Sequence, residues 1–350
     1  MNGLVAALMA TAALLIARAL TPHTIPLAYR IGALDVPGGE RRLHSRVTPR
    51  VGGLALFVSF LLCGAWLSRL PLGRDVPTPE LLALLWGATL LVFLGLLDDV
   101  FRLRAPLKLT VQLLAAAVAL GNGGGWAQVA LGEWILPLGA LRFPLGVLWI
   151  TVMINAHNMI DGLDGLAASV SAVEAGALAT VLALGGKMGA CCLALIVLGA
   201  CLGYLPYNRH PARVFMGDTG SQLLGFVLGV LALRVDVGAV GALGVAVPLL
   251  LFALPLSDLI FAAVRRTLRG QSVFQADRGH WHHRLTDAGL GQRQVCAWLS
   301  LLGAALGAVA ILLCREDWYG FAVYATLGAI SLVLLLETRL WRRRMNKKGG

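Results

Sequence analysis

The sequence predicts an all-α polytopic membrane protein that forms a single integral domain over residues 1–350. Hydrophobic residues make up 58% of the chain and charged residues only 13%, and the mean hydropathy is +0.79. A soluble domain carries about twice that share of charged residues. Because no long linker or low-complexity tract interrupts the chain, composition excludes a soluble enzyme and favours one membrane-embedded domain.

Apolar segments long enough to cross a bilayer recur along the whole chain. A transmembrane helix needs about 20 mainly apolar residues. The first segment has no early basic region and no cleavage site, so we interpret it as a membrane span and not as a signal peptide. Eleven spans are predicted, at residues 3–20, 51–70, 80–97, 106–121, 142–157, 164–185, 188–206, 221–235, 238–264, 295–313 and 319–340.

The distribution of Lys and Arg predicts the orientation, with the N-terminus outside and the C-terminus in the cytoplasm. The net charge of +11 then comes from basic cytoplasmic segments, which removes nucleic acid as a predicted partner. The outer segment 121–142 is Gly-rich and alternates weakly, so we expect a short interfacial hairpin there. The predicted cytoplasmic segments lie near 21–50, 98–106, 157–164, 207–220 and 265–294, followed by a basic tail at 341–350.

Four of these cytoplasmic segments carry dense polar clusters. Carboxylates, amides and imidazoles from four loops at one membrane face are better explained by one active site than by four independent features. We therefore predict a single site at the cytoplasmic face of the membrane. The clusters have the sequences DDVFR, NAHNMIDGLDG, YNRHPARVFMGDTGSQ and FQADRGHWHHRL.

In the cluster at 155–165, amides and carboxylates recur at every third residue, at Asn155, Asn158, Asp161 and Asp164. In a continuous α-helix each such step drifts by about 60°, so the four side chains could not share one face. The two glycines of the motif allow the helix to end and turn. The pattern predicts a helix–turn–helix junction with Asn158 and Asp161 pointing into the site, and it supports Asn155 least. An ordinary loop between two spans is the alternative.

The adjacent carboxylates of Asp98 and Asp99 repel each other unless a cation lies between them. They suit Mg²⁺, which prefers oxygen ligands, and Mn²⁺ is an alternative ion. A solvated helix end paired with Arg102 and Arg104 is the alternative. Asp218 lies in the sequence GDTGS directly before a span. Taken alone, this sequence suits a helix cap and a phosphate site equally, and beside Asp98, Asp99 and Asp161 it is a further candidate metal ligand.

The HWHH sequence invites a zinc site, because imidazole is a common zinc ligand. No cysteine lies nearby, however, and Arg278 and Arg284 would disfavour a doubly charged ion. The arginines favour a phosphate-binding patch in which His280, His282 and His283 act as donors. Histidines with only a structural role at an interface are the alternative.

Two acidic residues are predicted within membrane spans, where charges mark functional candidates. Asp258 is close enough to the inner surface to pair with Arg265 or Arg266. We assign Glu174 no function beyond a structural one. The six cysteines have no metal-ligand spacing and are interpreted as small buried residues; they are Cys63, Cys191, Cys192, Cys201, Cys296 and Cys314.

Taken together and in order, five motifs between about 35 and 285 resemble those of the polyprenyl-phosphate N-acetylhexosamine-1-phosphate transferases of glycosyltransferase family 4. The ending HWHHRL is similar to the bacterial undecaprenyl-phosphate N-acetylglucosaminyl 1-phosphate transferase branch. The phospho-MurNAc-pentapeptide transferase branch has three consecutive histidines, which Trp281 interrupts here. The motifs are ERRLHSRVTPRVGG, LGLLDDVFRL, NAHNMIDGLDGL, NRHPARVFMGDTGS, and PLSDLIFAAVRR followed by FQADRGHWHHRL.

The resemblance implies that a polyprenyl phosphate attacks the β-phosphorus of a UDP-N-acetylhexosamine and releases UMP, in the first membrane step of a cell-envelope polysaccharide pathway. His44 and Arg46 match the family only loosely. The resemblance implies catalytic roles for Asp98, Asp99, Asp161 and Asp164, Mg²⁺ ligation by Asp218 and Asn158, and substrate contacts from Asn208, Phe215, His280, His282, His283 and Arg284.

Several alternatives remain open at this point. The lipid phosphate is already anionic, so direct attack is favoured over an aspartyl-phosphate intermediate. A secondary transporter would place its acidic sites near the bilayer midplane on broken helices, whereas the carboxylates here gather at predicted helix ends. An inactive scaffold is disfavoured by the intact acidic motifs. A homodimer is compatible with the sequence.

Overall fold

The computed structural model describes residues 2–36, 47–71, 75–131, 134–237, 244–272 and 279–315, together with 325 and 328, and the structural statements below concern these residues. The described chain is mostly helical. Its helices are α1 (Asn2–Ile31), α2 (Gly53–Leu67), α3 (Thr78–Phe101), α4 (Ala105–Leu120), α5 (Arg142–Ile160), α6 (Leu166–Leu184), α7 (Met188–Asn208), α8 (Gly217–Ala232), α9 (Ala246–Leu251), α10 (Ala253–Leu268), α11 (Trp281–Asp287) and α12 (Gln292–Leu313).

Ten of the eleven predicted spans overlap with described helices. The remaining one, 319–340, lies outside the described residues apart from 325 and 328. Six helices of the described part are long and apolar enough to cross a membrane, namely α1, α3, α5, α6, α7 and α12, while α2 and α4 are shorter apolar helices. The polytopic helical architecture is thus confirmed, and the number of crossings and their orientation stay predictions.

The first helix is longer than predicted. Because α1 continues to Ile31, the segment 21–50 begins as helix, and the prediction of a loop there was wrong for its first part. Thr21 and Thr24 are buried in this extension. The Thr21 hydroxyl donates to the Ala17 carbonyl oxygen at 2.6 Å, and the Thr24 hydroxyl donates one turn back in the same way. Short polar side chains therefore stay satisfied within the helix and do not end it.

The predicted span 238–264 is broken. Helices α9 and α10 meet at Phe252, whose φ of −113° and ψ of 20° lie outside the helical range. Pro255 follows in the first turn of α10. Proline has no N–H to donate to the carbonyl of Leu251, four residues earlier, and its ring crowds that carbonyl. The break therefore follows from the sequence, although the apolar pattern alone concealed it.

Two small antiparallel sheets depart from the all-α prediction. Strand β1 (Leu34–Asp35) pairs with β2 (Thr48–Pro49), and β3 (Gln128–Leu131) pairs with β4 (Trp134–Pro137). The second pair confirms the hairpin predicted in 121–142, and the Trp134 side chain on it is 83% exposed. The first pair was not predicted, and it brings the chain just before α2 into contact with the end of α1.

Helix α8 is buried along nearly its whole length among α2, α3 and α5. Glycines allow its backbone to touch theirs directly. A Cβ atom at Gly53 in α2 would overlap the backbone of Gly220, and one at Gly95 in α3 would overlap that of Thr219. One at Gly225 would overlap the Met153 carbonyl of α5. These three contacts fix where the first turn of α8 lies relative to α3 and α5.

Helices α1 and α7 pack just as closely, so Gly199→Val should destabilise the protein. A Cβ at Gly199 would overlap the Ala10 carbonyl, and overpacking of this kind costs about 1–3 kcal/mol. We expect a lower midpoint of thermal unfolding in detergent, measured by circular dichroism. Gly176→Ala is the matched control, since the nearest atom to its new Cβ would be Leu198 Cδ2 at 3.8 Å. Equal midpoints for both variants would contradict this packing.

Candidate active site

The polar junction at 155–165 is a turn between two helices, as predicted. Helix α5 ends at Ile160, and α6 begins at Leu166 after Gly165, which has a φ of +79°. L-residues with a side chain rarely adopt that conformation, so glycine is required there. Asp161 is the first residue beyond α5, at the start of the turn. The two asparagines remain within the helix and face different partners.

A cavity of about 980 Å³ opens at this junction. Its volume is typical of sites that bind small molecules and cofactors. Four of the predicted site residues line it: Asp161, Asp164, Asn208 and Phe215. Residues from α1, from β2, from the turn after α5, from the loop before α8 and from the start of α12 form the wall. The structure thus brings together four segments that are distant in sequence.

Asp99 lies beside the cavity and binds the first turn of α8. Its carboxylate accepts the N–H of Asp218 at 3.0 Å and that of Thr219 at 3.2 Å, and it accepts the Thr219 hydroxyl at 2.8 Å. Arg50 Nη2 lies 3.5 Å from the same carboxylate, which is fully buried. Free N–H groups at a helix start favour an anion. Asp99 is therefore the cap of α8, supplied by another helix.

Asp98 and Asp218 share one cation, Lys108 of α4. Lys108 Nζ is 2.9 Å from Asp98 Oδ2 and 2.8 Å from Asp218 Oδ2. Asp98 Oδ1 also accepts the N–H of Leu103 at 2.7 Å, which ties the carboxylate to the turn after α3. The two acidic motifs, 120 residues apart in sequence, therefore meet at a point where a positive charge is stabilised. The sequence analysis missed Lys108.

The oxygen atoms gathered at this point fit Mg²⁺ by their chemistry. Two carboxylates converge on one position, and Mg²⁺ is typically held by one or two carboxylates, with water and substrate phosphates completing its shell. Asn158 is adjacent, since its Nδ2 donates to the Ser221 hydroxyl at 2.9 Å in the first turn of α8. Within the described ranges no group of three or more His, Cys, Asp or Glu side chains could hold an ion alone.

Asp161 lines the cavity, and the charged groups of the site act on its carboxyl group. Burial raises its pKa to about 7; the negative charge of Asp218 acts in the same direction, and the positive charge of Arg50 opposes it. The carboxyl group is therefore only partly ionised at neutral pH. A bound cation would favour its ionised form.

Asp164 and Asn208 both hold the loop that precedes α8. Asp164 Oδ2 accepts the Ala212 N–H at 3.0 Å and is 2.8 Å from His210 Nδ1. Asn208 Nδ2 donates to the Val214 carbonyl at 3.0 Å. The backbone of Phe215 is held as well, because its N–H donates to the Pro49 carbonyl at 2.7 Å and its own carbonyl accepts the Gly52 N–H. The loop is thus fixed from three sides.

The histidine segment is anchored by Asp258. Asp258 Oδ1 accepts the Trp281 N–H and Oδ2 lies against His280 Nδ1, both at 3.0 Å. The sequence analysis expected Arg265 or Arg266 as the partner of Asp258, and the structure supplies the start of α11. A carboxylate on α10 therefore caps α11 and orients the imidazole of His280.

His282 contacts a residue of the cavity wall without lining the cavity itself. Its ring packs against Gly162, which lines the cavity, and a Cβ atom at Gly162 would overlap His282 Nε2. Burial lowers the pKa of His282 to about 3, with the nearby His283 acting in the same direction, so the ring is neutral at pH 7. Its Nδ1 has no hydrogen-bond partner among the described residues. His280, His283 and the buried Arg284 lie on the same short helix, and the described cavity lining includes none of these four side chains.

The other residues singled out from the sequence do not belong to the described site. Glu174 pairs with His157 inside the helix bundle, with Oε2 2.8 Å from Nε2, which supports the structural role assigned to it. All six cysteines are free thiols, and four are buried. The loosely matched His44 and Arg46 lie outside the described residues.

Sequence analysis also missed Arg50, which lines the cavity and contacts Asp99. Lys108 and Arg50 each had a feature in the sequence that could have drawn attention to them. Lys108 is the single charged residue of the apolar helix α4, and such residues mark functional candidates. Arg50 belongs to a motif that was noted, but nothing in the sequence placed that motif beside Asp99.

The chain is similar to known proteins over most of its length. Residues 81–236 match the model of glycosyl transferase family 4. The chain is 36% identical over 296 residues to the "Probable undecaprenyl-phosphate N-acetylglucosaminyl 1-phosphate transferase" of Bacillus subtilis (strain 168), covering 84% of this chain and 81% of that protein. It is 36% identical over 294 residues to the decaprenyl-phosphate N-acetylglucosaminephosphotransferase of Mycobacterium tuberculosis (strain CDC 1551 / Oshkosh), covering 77% and 72%. It is 30% identical over 327 residues to the undecaprenyl-phosphate alpha-N-acetylglucosaminyl 1-phosphate transferase of Yersinia pestis, covering 90% and 87%.

The anchoring of the histidine segment predicts that Asp258→Ala will loosen α11. Loss of a helix cap costs about 0.5–2 kcal/mol, and His280 loses its partner too. We expect several-fold faster amide hydrogen exchange in Trp281–Asp287, measured by mass spectrometry on the detergent-solubilised protein. Ser257→Ala is the control, because it removes only the bond from the Trp281 indole at 3.2 Å. Unchanged protection of α11 in Asp258→Ala would show that the carboxylate does not cap it.

Proposed function

The chain belongs to glycosyl transferase family 4, and from that premise we propose that it transfers N-acetylglucosamine 1-phosphate from a UDP-sugar to undecaprenyl phosphate or a related polyprenyl phosphate, releasing UMP. The names of the relatives support the lipid acceptor and the transferred group. The proposal of a UDP-sugar donor rests on the motifs, and the cavity is large enough to hold one.

The observation that carries the proposal is the set of charges at one edge of the cavity. Asp98 and Asp218 converge on one cation position, and Asp99 lies against Arg50. Transfer of a phosphoryl group needs positioning and neutralisation of negative charge more than it needs covalent chemistry. A diphosphate at this edge would meet two basic side chains and a position suited to a metal ion.

Asp99 and Asp161 have different surroundings, and we assign them different roles. Asp99 accepts three hydrogen bonds from the first turn of α8, which favours a positioning role for it. Asp161 faces the cavity and titrates near neutral pH. We propose that the acceptor lipid phosphate, already anionic, attacks the β-phosphorus directly while the bond to UMP breaks. No aspartyl-phosphate intermediate is then required.

Mg²⁺ is the proposed cofactor, and Mn²⁺ is an alternative. Asp218 would hold the ion, with Asn158 and Asp98 adjacent. When bound, the ion would neutralise the diphosphate oxygens. Lys108, which contacts both Asp98 and Asp218, would add a positive charge for the substrate phosphates.

The other side chains are assigned to the donor. Phe215 and Asn208 line the cavity and would bind the uracil. His280, His282, His283 and Arg284 would contact the diphosphate and sugar, and His282 would do so as a neutral imidazole. The basic segments favour a multi-pass protein of the inner, or plasma, membrane with this site in the cytoplasm. The product would then enter a cell-envelope polysaccharide pathway.

The direct test is an assay of the purified protein with undecaprenyl phosphate and a panel of UDP-N-acetylhexosamines. Formation of UMP and of a lipid-linked diphosphate sugar should depend on both substrates and on Mg²⁺. UDP-MurNAc-pentapeptide is included as the donor of the rival branch, and preference for it would reassign the substrate. Absence of UMP with every donor would refute the transferase.

Phe215→Ala should weaken binding of the nucleotide. Stacking of a base on an aromatic ring contributes about 1–3 kcal/mol, so we expect the dissociation constant of the UDP-sugar to rise by that free energy, measured by calorimetry. Phe215→Tyr keeps the aromatic ring and is the control. An unchanged affinity in Phe215→Ala would remove this residue from the nucleotide site.

Arg50→Ala should lower kcat by about 100-fold, as loss of one group that stabilises developing negative charge commonly does. Asp99 would keep its three bonds to α8, so the fold should persist. Arg50→Lys retains the charge without the planar fork and should recover only part of the rate. Wild-type turnover in Arg50→Ala, measured by UMP release, would exclude a role in transfer.

A further inference from the structure

Three amide side chains, two of them buried, form a continuous chain of hydrogen bonds that ends on Asp218. Gln222 Nε2 donates to Asp218 Oδ2 at 3.0 Å. Gln112 Nε2 donates to Gln222 Oε1 at 3.2 Å, and Asn155 Nδ2 donates to Gln112 Oε1 at 2.9 Å. We call Asn155, Gln112 and Gln222 the amide relay. It crosses from α5 through α4 to α8.

The direction of the relay is set by its two ends. A carboxylate such as that of Asp218 accepts hydrogen bonds, so Gln222 must turn its N–H group toward it. The Thr151 carbonyl at the other end can only accept, and Asn155 Nδ2 donates to it at 2.8 Å. With both ends fixed, the side-chain oxygen of Gln112 accepts the N–H of Asn155, and that of Gln222 accepts the N–H of Gln112. All three amide dipoles therefore have their positive ends directed toward the carboxylate.

The relay lies inside the protein and not on the cavity wall. Gln112 is 2% exposed and Gln222 is fully buried, and neither belongs to the described cavity lining. A buried amide without partners costs free energy that an apolar side chain of the same size would avoid. Packing alone therefore does not account for a pair of glutamines between α4 and α8.

We propose that the amide relay positions the Asp218 carboxylate for cation binding. Its members act through Asp218 and do not contact substrate, so they are positioning residues. Asn155, the amide that the sequence analysis supported least, would thereby act on the site through two other side chains. The inference deepens the proposed function and rests on the assignment of Asp218 to the cation.

The test is a double-mutant cycle read out by metal affinity. Full-length protein in detergent is titrated with Mn²⁺, and bound ion is measured by electron paramagnetic resonance. Gln112→Met removes the N–H that Gln222 Oε1 accepts and the oxygen to which Asn155 donates, so the relay no longer holds Gln222 with its N–H toward Asp218. Groups that orient metal ligands commonly contribute 10- to 100-fold to affinity, and we expect a loss in that range although Gln112 does not touch Asp218.

The cycle combines Gln112→Met and Gln222→Met. Once Gln222 is removed, Gln112 is disconnected from Asp218, so the double variant should bind Mn²⁺ as weakly as Gln222→Met and no more weakly. If the two substitutions acted only through independent packing effects, their fold-losses in Mn²⁺ affinity would instead multiply in the double variant. Thr151→Val is the control, since it removes a buried hydroxyl bond to Val147 at 2.8 Å that lies outside the relay; its Mn²⁺ affinity should match the wild type.

Each outcome decides the proposal. Wild-type affinity in Gln112→Met, multiplying effects in the cycle, or no Mn²⁺ binding by the wild-type chain would overturn the relay. Transfer to undecaprenyl phosphate is measured in parallel on the wild type. A chain that shows the expected cycle but transfers no sugar phosphate would refute the proposed function and keep the relay. Transfer by the wild type, together with unaltered Mn²⁺ affinity in the variants, would support the proposed function and refute the relay.

Discussion

The structure depends on one buried carboxylate that caps a helix from outside. Asp99, at the end of α3, binds the N–H groups of Asp218 and Thr219 at the start of α8. An ionised group out of water is tolerated only with such partners. The bond fixes α3 against α8 and so fixes Asp218, and Gly95 permits the close approach. Arg50, which lines the cavity, then contacts Asp99, and Lys108 contacts Asp218.

The second organising principle is the alternation of charge around that contact. Lys108 lies between two carboxylates, and Arg50 lies against a third. The carboxylates of this cluster and Lys108 lie at the end of α3 and at the starts of α4 and α8, and not at the middle of a broken span. The arrangement argues for chemistry on an anionic substrate at the membrane surface, and against the midplane site of a secondary transporter.

The sequence predicted much of this from local pattern. Ten apolar segments became helices because an apolar run of that length satisfies its backbone only as helix. The junction at 155–165 turns where its glycines allow it. Errors arose where a local feature was overlooked. In the extension of α1, Thr21 and Thr24 are satisfied within the helix and do not end it, and the break at Phe252 depends on one proline within an apolar pattern.

By itself, the sequence determined the membrane class, the helical segments and the acidic motifs, because these follow from hydropathy, glycine positions and residue chemistry within short windows. Only the tertiary structure decided which side chains meet. It paired Lys108 with Asp98 and Asp218, gave Asp258 to the histidine helix, and joined Asn155 to Asp218 through Gln112 and Gln222. Each of these contacts links residues on different helices, and their meeting depends on how those helices pack, which no local pattern encodes.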